Sequence, residues 1–232
     1  MSARHGSKAI TDVRYGSKQI TQIRRGSTLL WSRANLRDDF NRDDSIGLGP
    51  NWVDLGPATD PYLASVTNGY ARLNIPEGLI NLSLRTSRMR FNGGVKPTDA
   101  GHIEARVAIK GDEGWDRITE VYGWMNADMS GGVAIRLDGA RASIVRRVNN
   151  VNTVVAAGGP YAAGDSLRLI RSADLITWTL RRNGQLLAEW ADPTMTVTTG
   201  VAFRSLGLLV SGTKDTFGPR RYSAAIDYIE AA

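Results

Sequence analysis

From residue 38 onward, apolar and polar positions alternate in short runs. The runs fall at 70–75, 80–84, 102–109, 118–123, 132–137, 142–148, 153–156, 166–171, 175–181, 185–190, 202–210 and 223–229. A period of two buries one face of a strand and wets the other. Turn-forming groups separate the runs: Asn92-Gly93-Gly94, Asp138-Gly139, Gly158-Gly159-Pro160, Gly164-Asp165, Asn183-Gly184 and Phe217-Gly218-Pro219. Asn183-Gly184, flanked by alternation on both sides, predicts a two-residue hairpin. About a dozen strands at spacings near ten residues, with no strong helix start or stop signal, predict an all-β, two-sheet jelly-roll sandwich over 38–232.

The first thirty residues follow a different rule. They repeat every ten residues, as RHGSKAITDV from Arg4, RYGSKQITQI from Arg14 and RRGSTLLWSR from Arg24. Arg recurs at 4, 14 and 24, and apolar residues recur at Ile10, Ile20 and Leu30, with Trp31 closing the series. Each Gly-Ser reads as a turn and the following x-Ile-Thr-x-Val/Ile as a short strand, so the units are hairpin-like. Units this short bury an apolar face only against neighbours, another domain or other copies of the chain. Residues 1–37 are therefore expected to be a basic assembly segment, with Arg4, Arg14, Arg24, Ile10, Ile20, Leu30 and Trp31 as its contact residues.

Charge sharpens this division. The chain of 232 residues carries 29 Lys/Arg and 23 Asp/Glu, a net of +6. Residues 1–37 hold eight of the bases against the single acid Asp12, leaving 21 bases and 22 acids for the rest. The positive charge thus belongs to the repeat. Its arginines are evenly spaced but lack aromatic interleaving beyond Tyr15 and Trp31, so nucleic acid is not the expected partner. No apolar run approaches a membrane span and the N-terminus has no signal-peptide pattern, so a soluble chain is expected. With no cysteine, disulfides and thiolate chemistry are excluded, and two histidines (His5 and His102) make a multi-histidine metal site improbable.

Candidate chemistry is sparse. No phosphate loop appears, and Gly131-Gly132 and Gly158-Gly159 read as turns because no helix follows them. His102 reads as a strand residue with a satisfied hydrogen bond rather than a general base. Trp115, Tyr122, Trp124 and Asn126 crowd within twelve residues beside the acidic loop 112–116. If Tyr122 and Trp124 share one strand, their spacing puts both rings on one face, as a sugar platform or as core. Trp178 and Trp190 flank the Asn183-Gly184 turn and read as cross-strand partners. Calcium at Asp112/Asp116 or Asn126/Asp128 stays open, but no loop carries a ligand ladder, so no cofactor is expected.

Asp38-Asp39-Phe40-Asn41-Arg42, followed by Leu48-Gly49-Pro50-Asn51-Trp52, resembles the opening of concanavalin A-like (laminarinase/LamG-type) jelly-roll domains. Gly164–Leu169, Ile176–Leu180 and Arg182–Gln185 resemble the back-sheet hairpin of that family, and Ala225–Ile229 its final strand, which pairs near the first. The resemblance spans about 195 residues in several short pieces. Arg24–Trp31 is similar to Gly-Ser/Thr-x-x-x-Trp segments of minor tail proteins of actinobacterial siphophages. Together these resemblances imply a structural phage-tail component, made in the host cytoplasm and placed in the virion. Its expected partners are other tail proteins, copies of itself and a host-surface glycan, and a lectin module of a glycan-active protein is the alternative.

A glucanase-like hydrolase is the third reading. The laminarinase-type pattern Glu-x-Asp-x-Glu aligns its carboxylates on one strand face. Here Gly101–Arg106 offers only Glu104 and Ile118–Tyr122 only Glu120. No catalytic residue is therefore assigned, although a meeting of Glu104 and Glu120 across strands stays open.

Overall fold

The computed structural model describes residues 36–57, 62–78, 80–112 and 117–232, together with the backbone of short strands within residues 4–32. Those strands are β1 (Arg4–His5), β2 (Lys8–Ala9), β3 (Val13–Tyr15), β4 (Lys18–Ile20), β5 (Gln22–Arg25) and β6 (Thr28–Ser32). They form three separate two-stranded antiparallel sheets. The pairs His5–Lys8, Tyr15–Lys18 and Arg25–Thr28 flank each Gly-Ser, so strand lies on both sides of the expected turn. Arg4, Arg14 and Arg24 occupy equivalent register positions, opposite Ala9, Gln19 and Leu29. Ile20, Leu30 and Trp31 lie on these strands. Ile10 lies outside the described residues.

The sandwich begins with β7 (Leu36–Asp38), β8 (Trp52–Asp54), β9 (Ala64–Thr67), β10 (Tyr70–Leu73) and β11 (Leu82–Phe91). It continues with β12 (Gly101–Ile109), β13 (Thr119–Met125), β14 (Gly132–Leu137), β15 (Arg141–Val148) and β16 (Val151–Pro160). The last strands are β17 (Ser166–Arg171), β18 (Thr177–Arg182), β19 (Gln185–Ala191), β20 (Ser205–Lys214), β21 (Arg220–Tyr222) and β22 (Ala225–Ala231). The first sheet runs β19-β18-β17-β12-β22-β10-β9, with β7 also on β22. The second runs β16-β15-β14-β13-β20-β11-β8, with β21 also on β20. Every pairing is antiparallel, and the last strand pairs with the first through Ile229–Asp38 and Ala231–Leu36.

Alternation fills the space between the sheets. Ile103, Ala105, Val107, Leu167, Leu169 and Ile226 come from the first sheet; Val121, Val133, Ile135, Ile144, Leu208 and Val210 come from the second. All twelve are fully buried, and each large aliphatic chain so buried contributes about 1.5–3 kcal/mol. The opening motif proves structural. The Asp38 carboxylate accepts from Arg42 Nη1 (2.7 Å) and Nη2 (3.0 Å), Trp52 Nε1 (2.7 Å) and the Phe40 N–H (2.9 Å), clasping the first loop to β8. Burial pushes this carboxyl up, but those four donors outweigh it and hold it below its ordinary value.

Three hairpins turn on paired left-handed residues: Asn68-Gly69 (φ 51° and 77°), Asn149-Asn150 (49° and 68°) and Asn183-Gly184 (50° and 84°). These are the φ values of the turn that matches strand twist. Of the three, Asn183-Gly184 is the pair that residue types and the flanking alternation single out as a hairpin. Gly158-Gly159-Pro160 is not a turn but the end of the ten-residue β16, where Gly158 sits so close to Ala142 O that a Cβ would lie 2.2 Å from it. The run expected at 202–210 starts at Ser205, because Val201–Phe203 is a 3-10 turn. The run expected at 80–84 is instead the strand Leu82–Phe91.

Candidate functional site

The strand β13 sets the chemistry of the second sheet. Its pairing with β14 is regular up to Tyr122–Ala134 and resumes at Trp124–Val133, so Gly123 is an extra, bulged residue. A Cβ on Gly123 would fall 1.8 Å from Ile103 Cγ2, which leaves glycine as the residue that fits. The bulge reverses the alternation. Val121 and Trp124 join the core between the sheets, whereas Tyr122 and Met125 join a separate cluster with Met129, Ala134 and Leu209 on the outer face.

The expectation that Tyr122 and Trp124 share a face is therefore corrected. Tyr122 is fully buried and Trp124 is 1% exposed, so neither ring offers a face to a sugar in this structure. Trp124 belongs to a pile at one end of the core. Lys96 Nζ lies 3.4 Å from its ring centroid, Trp178 meets it edge-on at 4.8 Å, Trp190 stacks on Trp178 at 5.8 Å, and Arg171 covers Trp178 at 4.8 Å. Trp178 and Trp190 are also direct cross-strand partners, as expected. Trp115 lies outside the described residues.

Glu104 and Glu120 occupy different sheets and both point away from the shared core. Glu104, on β12, accepts from Ser166 Oγ (2.7 Å), Tyr228 OH (2.5 Å) and Arg168. Burial raises its pKa, but these donors and the Arg168 charge bring it below the ordinary value. Glu120, on β13, is fully buried; it accepts from Tyr122 OH (2.6 Å) and Asn152 Nδ2 (2.9 and 3.1 Å), with Arg136 Nη1 at 3.6 Å. Burial dominates here and holds its proton above the ordinary carboxylate range. Each acid is the sole carboxylate on its strand's outward face. The possibility that they meet across strands is thereby removed, and with it the close pair that a retaining hydrolase needs from these two residues. His102 Nε2 lies 3.9 Å from Glu230.

Asn126 does border open space. Its side chain braces a loop, donating to Ser130 Oγ (2.7 Å) and accepting from the Gly131 N–H (2.9 Å). Two clefts meet at Asn126 and Phe203. The larger, about 670 Å³, lies between the loops at 92–95, 126–128 and 201–205, with Arg90 and Asp128 as its charged groups and Val95, Val201 and Phe203 as its apolar wall. The smaller, about 220 Å³, is bounded by Trp124, Arg146, Arg147, Asn149 and Thr196. Arg147 is fully committed, to Met129 O (2.7 Å), Asn152 Oδ1 (2.9 Å) and Asn150 Oδ1 (3.0 Å). Arg90 makes one long bond, to Ala127 O at 3.3 Å. Arg90 and Phe203 escaped the sequence reading because they come from distant segments that only the fold juxtaposes.

Among the described residues, no group of three or more His, Asp or Glu could hold a metal ion, and no helix is long and apolar enough to cross a membrane. Asp128 accepts from the Ser130 N–H (3.1 Å) and Oγ (2.8 Å), which lower its pKa. Asp116 lies outside the described residues.

No family model matches this sequence, and no curated protein matches it. Solved structures do share its architecture. The carbohydrate binding module CBM66 from Bacillus subtilis aligns with a TM-score of 0.52 at 12% identity, over 80% of this chain and 98% of the module. The endo-β-1,3-glucanase from Pyrococcus furiosus aligns at 0.53 and 10% identity, over 96% and 97%. The exoplasmic/lumenal domain of VIP36, solved with Ca²⁺ and Man3GlcNAc, aligns at 0.51 and 12% identity, over 78% and 83%. At such identities the likeness extends to the fold alone, which is the concanavalin A-like jelly-roll sandwich shared by sugar-binding modules and glucanases.

Proposed function

We propose that the sandwich is a non-catalytic carbohydrate-binding module and that the N-terminal hairpins attach it to an assembly. The observation that carries the first part is the pair of adjoining clefts at Asn126 and Phe203, which combine an apolar wall with polar groups on a jelly-roll fold. Likeness to CBM66 and to the sugar-bound VIP36 domain supports the same reading. Glu104 and Glu120 do not supply a hydrolase's carboxylate pair, because they lie on different sheets and Glu120 is sealed from solvent. Calcium has no built site among the described residues, and sugar binding is proposed without it.

The assembly role rests on the repeat of Arg4, Arg14 and Arg24 at matching register in three hairpins, each a separate two-stranded sheet among the described residues. An isolated two-stranded hairpin is marginal in water, and its open edges invite further strands from copies of the chain or a partner. The narrower placement of this protein as a minor component of a phage tail, displaying the sandwich toward host glycans, rests on the combination of that repeat with the sandwich.

Binding to a glycan array tests the first part. Ala202→Trp fills the larger cleft without removing a hydrogen bond, and loss of glycan retention with an unchanged melting temperature is expected. Retention unaffected by Ala202→Trp would move the site elsewhere. Release of reducing ends from β-glucan would overturn the non-catalytic reading. For the second part, removal of residues 1–33 is expected to reduce the sedimenting species to monomer; unchanged assembly sinks the role of the repeat.

A further inference from the structure

We propose that the ligand of this module is an acidic glycan, a chain bearing uronate carboxylates, held along the outer face of the second sheet and into the larger cleft. This inference rests on the carbohydrate-binding reading above. Residues 38–232 are almost neutral in sum, but the fold sorts their charge. The strands of the second sheet carry ten Lys/Arg against two acids, Asp54 and Glu120. Those of the first sheet carry seven Lys/Arg against five acids. The sheet that borders the cleft is therefore the basic one.

Register places that charge. Arg88 stands opposite Leu209, Leu209 opposite Glu120, and Glu120 opposite Arg136, forming one row across four strands on the outward face. Arg90 lies two residues along β11 on the same face and lines the larger cleft. Neither Arg88 nor Arg90 has a carboxylate within ion-pair distance among the described residues. The acid inside the row is fully buried under Tyr122 and Asn152, and its ion-pair partner is Arg136 rather than Arg88 or Arg90. Asp128, at the cleft, accepts from Ser130 and stays an anion, so it offsets part of the Arg88 charge without contacting it directly.

Arg88 and Arg90, which lack a direct ion pair, can take a carboxylate from a ligand, and the guanidinium fork matches a carboxylate in two-point geometry. A neutral sugar would leave that charge unmet. A nucleic acid would meet it, but binding along a strand uses a series of open aromatic rings; Tyr122 on this face is fully buried, and Phe203 in the cleft is a single ring.

The test is affinity electrophoresis and calorimetry of the full chain with alginate, polygalacturonate, neutral laminarin and a single-stranded DNA oligonucleotide, at low and high salt. Acidic glycans are expected to bind at least about tenfold more tightly than laminarin and to weaken with salt. The double variant Arg88→Gln/Arg90→Gln should lose about tenfold or more toward alginate while its melting temperature holds. The triple variant Arg4→Gln/Arg14→Gln/Arg24→Gln should bind alginate as the parent does. Laminarin bound as tightly as alginate, with no effect of the double variant, overturns the acidic ligand but leaves the carbohydrate-binding reading intact. Binding to none of the glycans removes both. Equal binding of DNA and alginate, or loss in the triple variant alone, also overturns the inference, by assigning the effect to polyanions in general or to the N-terminal segment.

Discussion

Glu104 and Glu120 make an instructive pair. Each stands on the middle strand of its sheet's path, each points away from the shared core, and each accepts hydrogen bonds from a tyrosine hydroxyl and a second polar side chain. Yet Glu104 ionises more easily than an ordinary carboxyl and Glu120 less easily. Glu104 has Arg168 in direct contact and keeps an open side; Glu120 has its nearest guanidinium at 3.6 Å and no exposure. The count of donors is similar, so full desolvation decides the difference.

The largest effect expected from breaking this comparison is in the truncations. Glu120→Ala leaves the Tyr122 hydroxyl and the Asn152 amide without their acceptor and should lower unfolding free energy by about 2–4 kcal/mol. Glu104→Ala leaves its donors within reach of water and should lose about 1–2 kcal/mol. Urea denaturation of both variants measures the difference. Equal losses would mean that burial does not separate the two sites.

A second variant acts on the bulge that decides what shares the outer face with Glu120. Gly123→Ala drives a methyl into Ile103 Cγ2 and should destabilise by about 1–3 kcal/mol or more. Near-ultraviolet circular dichroism should change with it, because Trp124 and its contact with Trp178 hang on that backbone. A variant that melts and absorbs like the parent would show that the strand can slide to accommodate the methyl.

The bulge also marks where sequence reasoning stops. The strands of β14 and β17 are legible to the residue, because alternation there is clean and a turn sits next to β14 at Asp138-Gly139 and next to β17 at Gly164-Asp165. Short β8 and β9 are not, since three or four residues are too few to show a period. The middle of β11 hides for another reason: Arg85, Thr86, Ser87 and Arg88 show no apolar alternation, and only their pairing with β20 makes them strand. For the site, one inserted residue at Gly123 is enough to send Tyr122 and Trp124 to opposite faces, and no pattern of residue types announces it. Asn126 stands out in the sequence beside aromatics, whereas Phe203 and Arg90 meet it only through the packing of remote segments.

Lys96 extends the comparison to a cation. It is fully buried against Trp124, and its Nζ has no hydrogen-bond partner among the described residues. Burial, reinforced by the Arg171 and Arg204 charges and opposed by Asp99, lowers its pKa to about 6. The unfolded chain then binds a proton that the folded one refuses over this window, so the native state loses stability as pH falls from about 10 to about 6. Lys96→Met keeps the volume and removes the amine. It should raise the melting temperature at pH 7 by about 5 °C and flatten that part of the pH profile. A lower melting temperature would show that the cation–aromatic contact outweighs desolvation at this site.

The finest separation of the two glutamates comes from Gln variants followed across pH. A carboxyl with a lowered folded pKa contributes stability that is present above its unfolded value, near 4.5, and is lost as pH falls through the folded value; this is Glu104. A carboxyl with a raised folded pKa contributes stability that is full below 4.5 and declines as pH rises toward its folded value; this is Glu120. Glu104→Gln should therefore cost about 1 kcal/mol at pH 7 and nothing measurable near pH 3. Glu120→Gln mimics the protonated acid and should be near neutral at pH 3 while gaining on the parent as pH rises. Opposite slopes in the two difference profiles, measured by thermal melts between pH 3 and pH 8, are the signature of desolvation acting on one site and ion pairing on the other. Two parallel slopes would mean that Glu120 is ionised in the folded protein, and that the charge of the arginine row around it is matched from within.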